Sequence, residues 1–365
     1  MKLLIQPQDG VLPLLDAIKS AKKSIDILIF RLDWKEIESA LRAASLRGIA
    51  VRALIAHTNR GGEPKLRNLE TRCLEAGITV GRTADDLIRY HGKMMIIDRR
   101  TLFLLSFNFV HLDIDHSRGF GIVTENAKVV AEAVKLFEAD LNRQTYTPAH
   151  DEFIVSPVNS RQQLTTFIKG AKKQLFIYDP KVADKQIVRL LEDRAKAGLD
   201  VRIIGSLDVQ NPRFPVSRLT TMRLHTRTII RDGSQAFVGS QSLRESELDL
   251  RREIGVIVHD KHIVRTLLET FEKDWESTGF NETIAAAKPP SGSRGSTLIA
   301  PLPRAPGPRP QGGKRAAAKP LCGWPAIRHF KRSRFRRAPA RERFDDAERQ
   351  PVKPRPIPGE LQLVS

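Results

Sequence analysis

The 365-residue chain is poor in cysteine, with only Cys73 and Cys322, far apart in sequence. That excludes a disulfide framework and a cysteine-rich metal site, and it fits a reducing compartment. Aromatic residues are sparse at 6%, and no stretch approaches the roughly 18 consecutive apolar residues of a membrane-spanning helix. The opening MKLLIQPQDG has one Lys and an apolar run cut short by Pro and Gly, unlike a secretory leader. A cytoplasmic protein is expected, at most peripheral to the inner face of a membrane. The 41% of hydrophobic residues is still enough for a sizeable core.

Acidic residues are what the last part of the chain lacks. Residues 285–365 carry 18 Lys and Arg against 5 Asp and Glu, together with 14 of the 22 prolines. Runs such as PLPRAPGPRP and FKRSRFRRAPARER have little apolar periodicity, which predicts a disordered, basic, Pro-rich tail. Such a tail can attract nucleic acid or an anionic membrane, or simply solubilise. Residues 1–284 carry 43 basic against 37 acidic residues, modest for a dedicated nucleic-acid enzyme.

The chain repeats itself. At an offset of 150, AIKSAKKSIDILIF from Ala17 lies over FIKGAKKQLFIYDP from Phe167, and Gly48, Val51 and Arg52 fall on Gly198, Val201 and Arg202. Each unit reads as helix, β-branched strand, amphipathic helix, strand. Further on the offset becomes 134, placing His91 on His225, Asp98 on Asp232 and Ser106 on Ser240. The 16 extra residues of the first copy fall in HTNRGGEPKLRNLETRCLEAG, which predicts an added helix. The expected fold is α/β: two pseudo-symmetric repeats, 1–150 and 151–284, sharing one active site, followed by the tail at 285–365.

Inside the repeat, HGKMMIID at 91–98 is matched by HTRTIIRD at 225–232. Alternate side chains of an extended segment share a face, so His91 goes with Lys93 and His225 with Arg227, while Asp98 and Asp232 leave that face. The RDGS turn suits an Asp that caps backbone N–H groups, making both aspartates structural anchors. A neutral imidazole is a competent nucleophile and an imidazolium a competent acid, so two histidines suffice for covalent and proton work on a phosphodiester. Lys93 and Arg227 would stabilise the phosphate without a metal. Ser106, Asn108, Ser240 and Ser242, at the ends of the following strands, are donors suited to phosphate oxygens. Glu253 could fix one imidazole's tautomer; the matching position in the first half is Gly119.

This constellation resembles the phospholipase D superfamily, whose signature is H-x-K-x4-D followed by G-S-x-N, twice per active unit. The resemblance covers about residues 1–284 and implies two α/β lobes around one site, a phosphohistidine intermediate and no cofactor or metal. By that resemblance His91 and His225 are nucleophile and general acid, Lys93 and Arg227 phosphate ligands, and Glu253 the acid that supports a catalytic histidine. The better-kept first motif favours His91 as nucleophile. Leu105, Arg227 and Ser242 depart from the pattern, which bears on rate and substrate preference. The implied substrate is a phospholipid, cleaved by hydrolysis or by transfer of a phosphatidyl group as in cardiolipin synthases. A nuclease of the same superfamily, or a phosphate-binding module that has lost turnover, are the alternatives.

Other features read as structural. His111, His116, His259 and His262 lack a metal-ligand pattern and are expected in loops or helix starts, the first two near the cleft. KSAKK and KGAKK occupy matching helix C-termini, where Lys is favourable anyway. SLDVQNPRFPVSRLT at 206–220 is an ordered connector or a loop that grips a substrate moiety.

Overall fold

A computed structural model describes residues 1–59 and 63–279, so the tail expected at 285–365 lies outside the described residues. The first half runs β1 (Lys2–Gln6), α1 (Leu12–Ser20), β2 (Ser24–Ile29), α2 (Lys35–Leu46), β3 (Ala50–Ile55), α3 (Glu63–Glu75), β4 (Thr79–Arg82), β5 (Arg89–Tyr90), β6 (Met94–Ile97), β7 (Thr101–Leu105), α4 (His111–Asp115), β8 (Ser117–Thr124) and α5 (Ala127–Leu141). The second runs β9 (Phe153–Val155), α6 (Ser160–Lys169), β10 (Gln174–Val182), α7 (Lys185–Lys196), β11 (Asp200–Leu207), β12 (Val216–Ser217), β13 (Arg223–Leu224), β14 (Arg227–Arg231), β15 (Gln235–Gly239), α8 (Glu245–Asp249), β16 (Arg251–Arg252), β17 (Ile254–Val258) and α9 (Lys261–Glu276).

The duplication read from the sequence is visible in the sheets. One has the order β1-β8-β7-β6-β2-β3-β4 and the other β9-β17-β15-β14-β10-β11-β12, the same path taken by equivalent strands. In each, a parallel pair is joined through an amphipathic helix, β2-α2-β3 and β10-α7-β11. Gly48 (φ +84°) and Gly198 (φ +90°) follow these helices in the left-handed conformation that a glycine adopts without strain. The added helix of the first half is α3, which buries Leu66, Leu69 and Cys73. In the second half SLDVQNPRFPVSRLT instead supplies the short edge strand β12.

Each unit opens with a strand ahead of its first helix, one element earlier than the helix-first pattern expected from the repeat. KLLIQP and EFIVSP also align at the 150 offset, and they form β1 and β9, which pair with β8 and β17.

The layers follow from which faces are apolar. Helices α1, α2 and α3 cover the outside of the first sheet through Leu14, Ile37 and Leu66, and α6 and α7 cover the second through Leu164 and Leu191. Between the sheets, α5 and α9 share one continuous core with both, through Leu136, Phe137, Leu267 and Phe271 packed with Ile96, Leu104, Ile230 and Val238. Central strands are therefore buried on both faces, which is why MMII reads as an unbroken apolar run.

Two short parallel ladders cross between the halves. Arg89 and Tyr90 pair with Arg251 and Arg252, and Arg223 and Leu224 pair with Ser117 and Arg118. Each strand that leads into a motif is thus held by the other half.

Candidate active site

The crossing ladders place both histidines. The His91 amide donates to the Arg252 carbonyl at 2.7 Å, and the His225 amide to the Arg118 carbonyl at 3.0 Å. Lys93 Nζ then turns back onto the His91 carbonyl at 2.6 Å, and Arg227 Nη1 onto the His225 carbonyl at 2.6 Å. The Lys-to-Arg exchange between the motifs therefore keeps the same contact, with a planar fork in place of a point charge.

The two imidazoles have different surroundings. His91 Nδ1 lies 2.8 Å from Glu253 Oε2, and the ring stands edge-on to Phe30 at 4.4 Å between centroids. His225 Nε2 lies 3.4 Å from Asp113 Oδ2, while its Nδ1 has no hydrogen-bond partner among the described residues. Glu253 has no counterpart because a Cβ at Gly119 would already meet the Phe107 ring at 3.0 Å. That ring occupies the space an acid would need.

Asp113 was not anticipated from the sequence. Besides facing His225, it accepts from the Asn108 amide at 2.9 Å and from Asn108 Nδ2 at 2.6 Å. Glu247 does the equivalent for the Ser242 amide at 2.7 Å. The signal was present: the 134 offset puts an acid at both positions, five residues after Asn108 and Ser242.

Burial dominates the electrostatics. His91 and His225 are 9% and 5% exposed, and Lys93 is wholly buried. Desolvation, reinforced by the Lys93 and Arg227 charges, holds His91 well below the ordinary imidazole value. The same burial lowers His225, with Asp113 opposing and Arg227 and Lys93 reinforcing. Lys93 is pushed down to about 7 by burial, against the pull of Glu253. Burial raises Glu253, opposed by Lys93 and Arg227. It also works against ionising Asp113, but His225, Asn108 and Arg223 outweigh it and keep that carboxyl below its usual value. Cationic and anionic groups of both halves thus act on one another across a single centre.

The remaining motif residues divide by what they touch. Ser106 Oγ accepts from the Phe120 amide at 2.9 Å, and Ser240 Oγ accepts from the Ile254 amide at 3.1 Å, so both hydroxyls are engaged with the next strand. Ser242 Oγ accepts from Arg227 Nε at 3.2 Å. Asp98 and Asp232 sit at positive φ in the three-residue turns that join β6 to β7 and β14 to β15, and reach the turn after α1 or α6. Asp98 accepts from the amides of Lys22, Lys23 and Ser24, and Asp232 from those of Lys172, Lys173 and Gln174. The KSAKK and KGAKK segments are thereby tied to the motifs through their backbone.

The other histidines lie elsewhere. His111 begins α4 and stacks on Trp34 at 3.9 Å, His116 directly precedes β8, His259 pairs with Glu152 at 2.9 Å, and His262 is in the first turn of α9. Among the described residues no group of three or more His, Cys, Asp or Glu is placed to hold a metal ion.

Two like lobes that each deliver a His and a cation to one buried centre define a protein of the phospholipase D type. A family model described as "Cardiolipin synthase, PLD-like domain" matches residues 14–141 and 164–275, and the chain belongs to that family. An envelope phospholipase of monkeypox virus is 30% identical over 144 residues, which are 34% of this chain and 37% of the viral protein. The chain thus spans little more than a third of that relative's length. A cardiolipin synthase of Clostridium perfringens is 24% identical over 319 residues, covering 72% of this chain and 67% of that protein. The crystal structure of polyphosphate kinase from Porphyromonas gingivalis shares the fold, with a TM-score of 0.62 at 22% identity over 75% of this chain and 50% of that one.

Proposed function

We propose that residues 1–150 and 151–284 act together as a metal-independent phosphodiesterase on phospholipids, through a phosphohistidine on His91. The product is a hydrolysed lipid or one whose phosphatidyl group has passed to an alcohol. The observation that carries this reading is the 2.8 Å contact between His91 Nδ1 and Glu253 Oε2. With the ring proton held on Nδ1 by the carboxylate, Nε2 keeps its lone pair for attack.

The P–Nε2 bond forms as the bond from phosphorus to the leaving oxygen breaks. Lys93 and Arg227 hold the non-bridging oxygens, with Asn108 and Ser242 as further donors and Ser106 and Ser240 bracing the strands that carry them. His225 gives its proton to the leaving oxygen, then takes one from the water or alcohol that attacks the phosphohistidine. Burial disfavours the charged form of His225, whereas Asp113 and the bound phosphate favour it, so substrate binding brings the acid into its working state. Asp98 and Asp232 serve as supports.

The phospholipase and cardiolipin synthase names of the relatives favour lipid over nucleic acid. Among the described residues no helix is long and apolar enough to cross a membrane, and the proposed association is peripheral, from the cytoplasmic side. The test is to incubate the full chain in EDTA with vesicles of headgroup-labelled phospholipid and, separately, with labelled single- and double-stranded DNA. Headgroup release that disappears in His91→Ala supports the proposal. Strand cleavage without lipid turnover would make the protein a nuclease, and phosphate binding without either would make it a binding module.

A further inference from the structure

Three departures from the duplication gather around one side chain. Arg227 stands where the first half has Lys93, Ser242 where it has Asn108, and the facing pair Asp179 and Gly205 where it has Ile29 and Ile55. Ile29 and Ile55 are wholly buried and paired in a regular ladder. Asp179 is just as buried, at the point where β10 bulges against β11. Gly205, at φ +147°, is what lets the two backbones close up, since a Cβ there would stand 1.7 Å from the Asp179 carbonyl oxygen.

A carboxyl placed in a core is costly unless it is hydrogen-bonded. Asp179 Oδ1 accepts from the Lys181 amide at 2.9 Å, inside the bulge, and Oδ2 accepts from the Leu243 amide at 2.7 Å. Leu243 follows Ser242, whose Oγ accepts from Arg227 Nε at 3.2 Å. Burial raises the Asp179 carboxyl, while the two amides, the Arg227 charge and the Ser242 hydroxyl oppose it. In the first half Asn108 is anchored on Asp113 twice, through its amide and through Nδ2. Ser242 keeps the amide contact, to Glu247, but has no side-chain amide to repeat the second one. Asp179 supplies a replacement hold one residue further on.

We propose that Asp179 is a positioning residue for Arg227: through the Leu243 amide and Ser242 it aims the guanidinium fork at the phosphate, a hold that the second half requires because it carries Arg in place of Lys. This deepens, and rests on, the phosphodiesterase reading above. Arg227 Nη1 is taken by the His225 carbonyl and Nε by Ser242, so Nη2 is the nitrogen left for a phosphate oxygen. A lysine ammonium acts as a point charge whatever its rotation, whereas a planar fork works only when aimed. An arginine whose Nε loses its anchor swings Nη2 off the oxygen. Ser242 has one proton to give, to Asp179 when the site is empty or to the phosphate when it is filled.

The experiment is a double-mutant cycle on the full chain: the parent, Asp179→Asn, Arg227→Lys and the two combined. Each protein is assayed for hydrolysis of bis(p-nitrophenyl) phosphate in EDTA and titrated calorimetrically with orthophosphate. Asp179→Asn keeps the shape of the side chain but can accept from only one of the two amides well. Beside Arg227 it should lower kcat/KM and orthophosphate affinity about tenfold, and in the Arg227→Lys background by no more than about threefold, because a lysine has no Nε–H to align. A residue that merely supports the fold would cost the same factor in both backgrounds, and that result overturns the proposal. Should Asp179→Asn melt below the assay temperature, Asp179→Ser, which keeps an acceptor for the Leu243 amide in less volume, is read in the same cycle. The two readouts separate this inference from the reading it rests on. Coupling in orthophosphate affinity without turnover by the parent leaves Asp179 its role and removes the phosphodiesterase. Turnover by the parent with equal factors in both backgrounds removes the role of Asp179 alone.

Discussion

Arg252 of the second half is paired with Asp140 of the first, Nη2 to Oδ1 at 3.0 Å, and both side chains are buried. Arg118 and Asp274 repeat the pairing in the other direction, at 2.7 and 2.8 Å. Each arginine's own carbonyl accepts the amide of a motif histidine, so the clasps that join the lobes also set the two imidazoles.

Arg252→Met should therefore cost stability and activity together. Removing one partner of a buried pair costs about 3–5 kcal/mol when the other stays charged. Asp140, raised by burial to about 6 even beside Arg252, can escape by taking a proton. The loss in urea-unfolding free energy is expected to be larger at pH 8 than at pH 5. An equal loss at both would show that Asp140 does not feel the arginine.

Lys93 predicts a pH dependence. Its folded pKa is lowered to about 7 by burial, so its cationic form is present below that pH. Phosphate binding should be strongest there, and kcat/KM, which follows the free enzyme's ionisation, should fall about tenfold per unit as pH rises above 7. Lys93→Arg should remove this limb, because a guanidinium keeps its proton. For stability the sign is opposite. The unfolded chain holds the Lys93 proton up to about 10.4 while the folded chain has lost it, so this residue makes folding more favourable as pH rises from 7 toward 10. Lys93→Met should flatten that rise in thermal melts.

The repeat made much of this legible. Gly48 with Gly198 and Val51 with Val201 marked equivalent strands, and the motif spacing marked His91, Lys93, His225 and Arg227. What stayed hidden was contact across the halves. The partners of His91 and His225 are Glu253, 162 positions away, and Asp113, 112 positions away, and strand alternation says nothing about partners so distant. Asp113 was further obscured by lying in the five-residue helix α4, too short to show a periodic pattern. The hydroxyls of Ser106 and Ser240 look like phosphate donors by residue type, and only the placement of β8 and β17 shows them engaged with main chain.

Glu253→Gln tests which imidazole is attacked. An amide at this position can present its NH₂ to Nδ1 and so move the ring proton to Nε2, the atom needed for attack. A fall in kcat on the order of a hundredfold or more is expected, with KM little changed. His225→Ala should behave differently. With p-nitrophenyl phosphodiesters, whose leaving group needs no proton, the phosphoenzyme should still form and then persist, because nothing activates the incoming water. Rapid-quench labelling distinguishes the two, and a phosphoenzyme that survives His91→Ala would reverse the assignment.

Asp98 and Asp232 should prove to be stability residues. Each bonds three successive amides of a turn far away in sequence, with contacts between 2.6 and 3.1 Å, which hold both carboxyls below their ordinary range. Asp98→Ala and Asp232→Ala are each expected to cost about 1–3 kcal/mol, limited because water can reach the freed amides. Because both pKa values are depressed, this stability is present above the unfolded carboxyl value near 4 and is lost as pH falls through the folded ones. The two losses should be similar, as the halves are. Single-turnover chemistry at 10 °C, well below the melting point of either variant, should stay within about threefold of the parent protein. A hundredfold loss there in a fully folded variant would place the aspartates in the reaction instead.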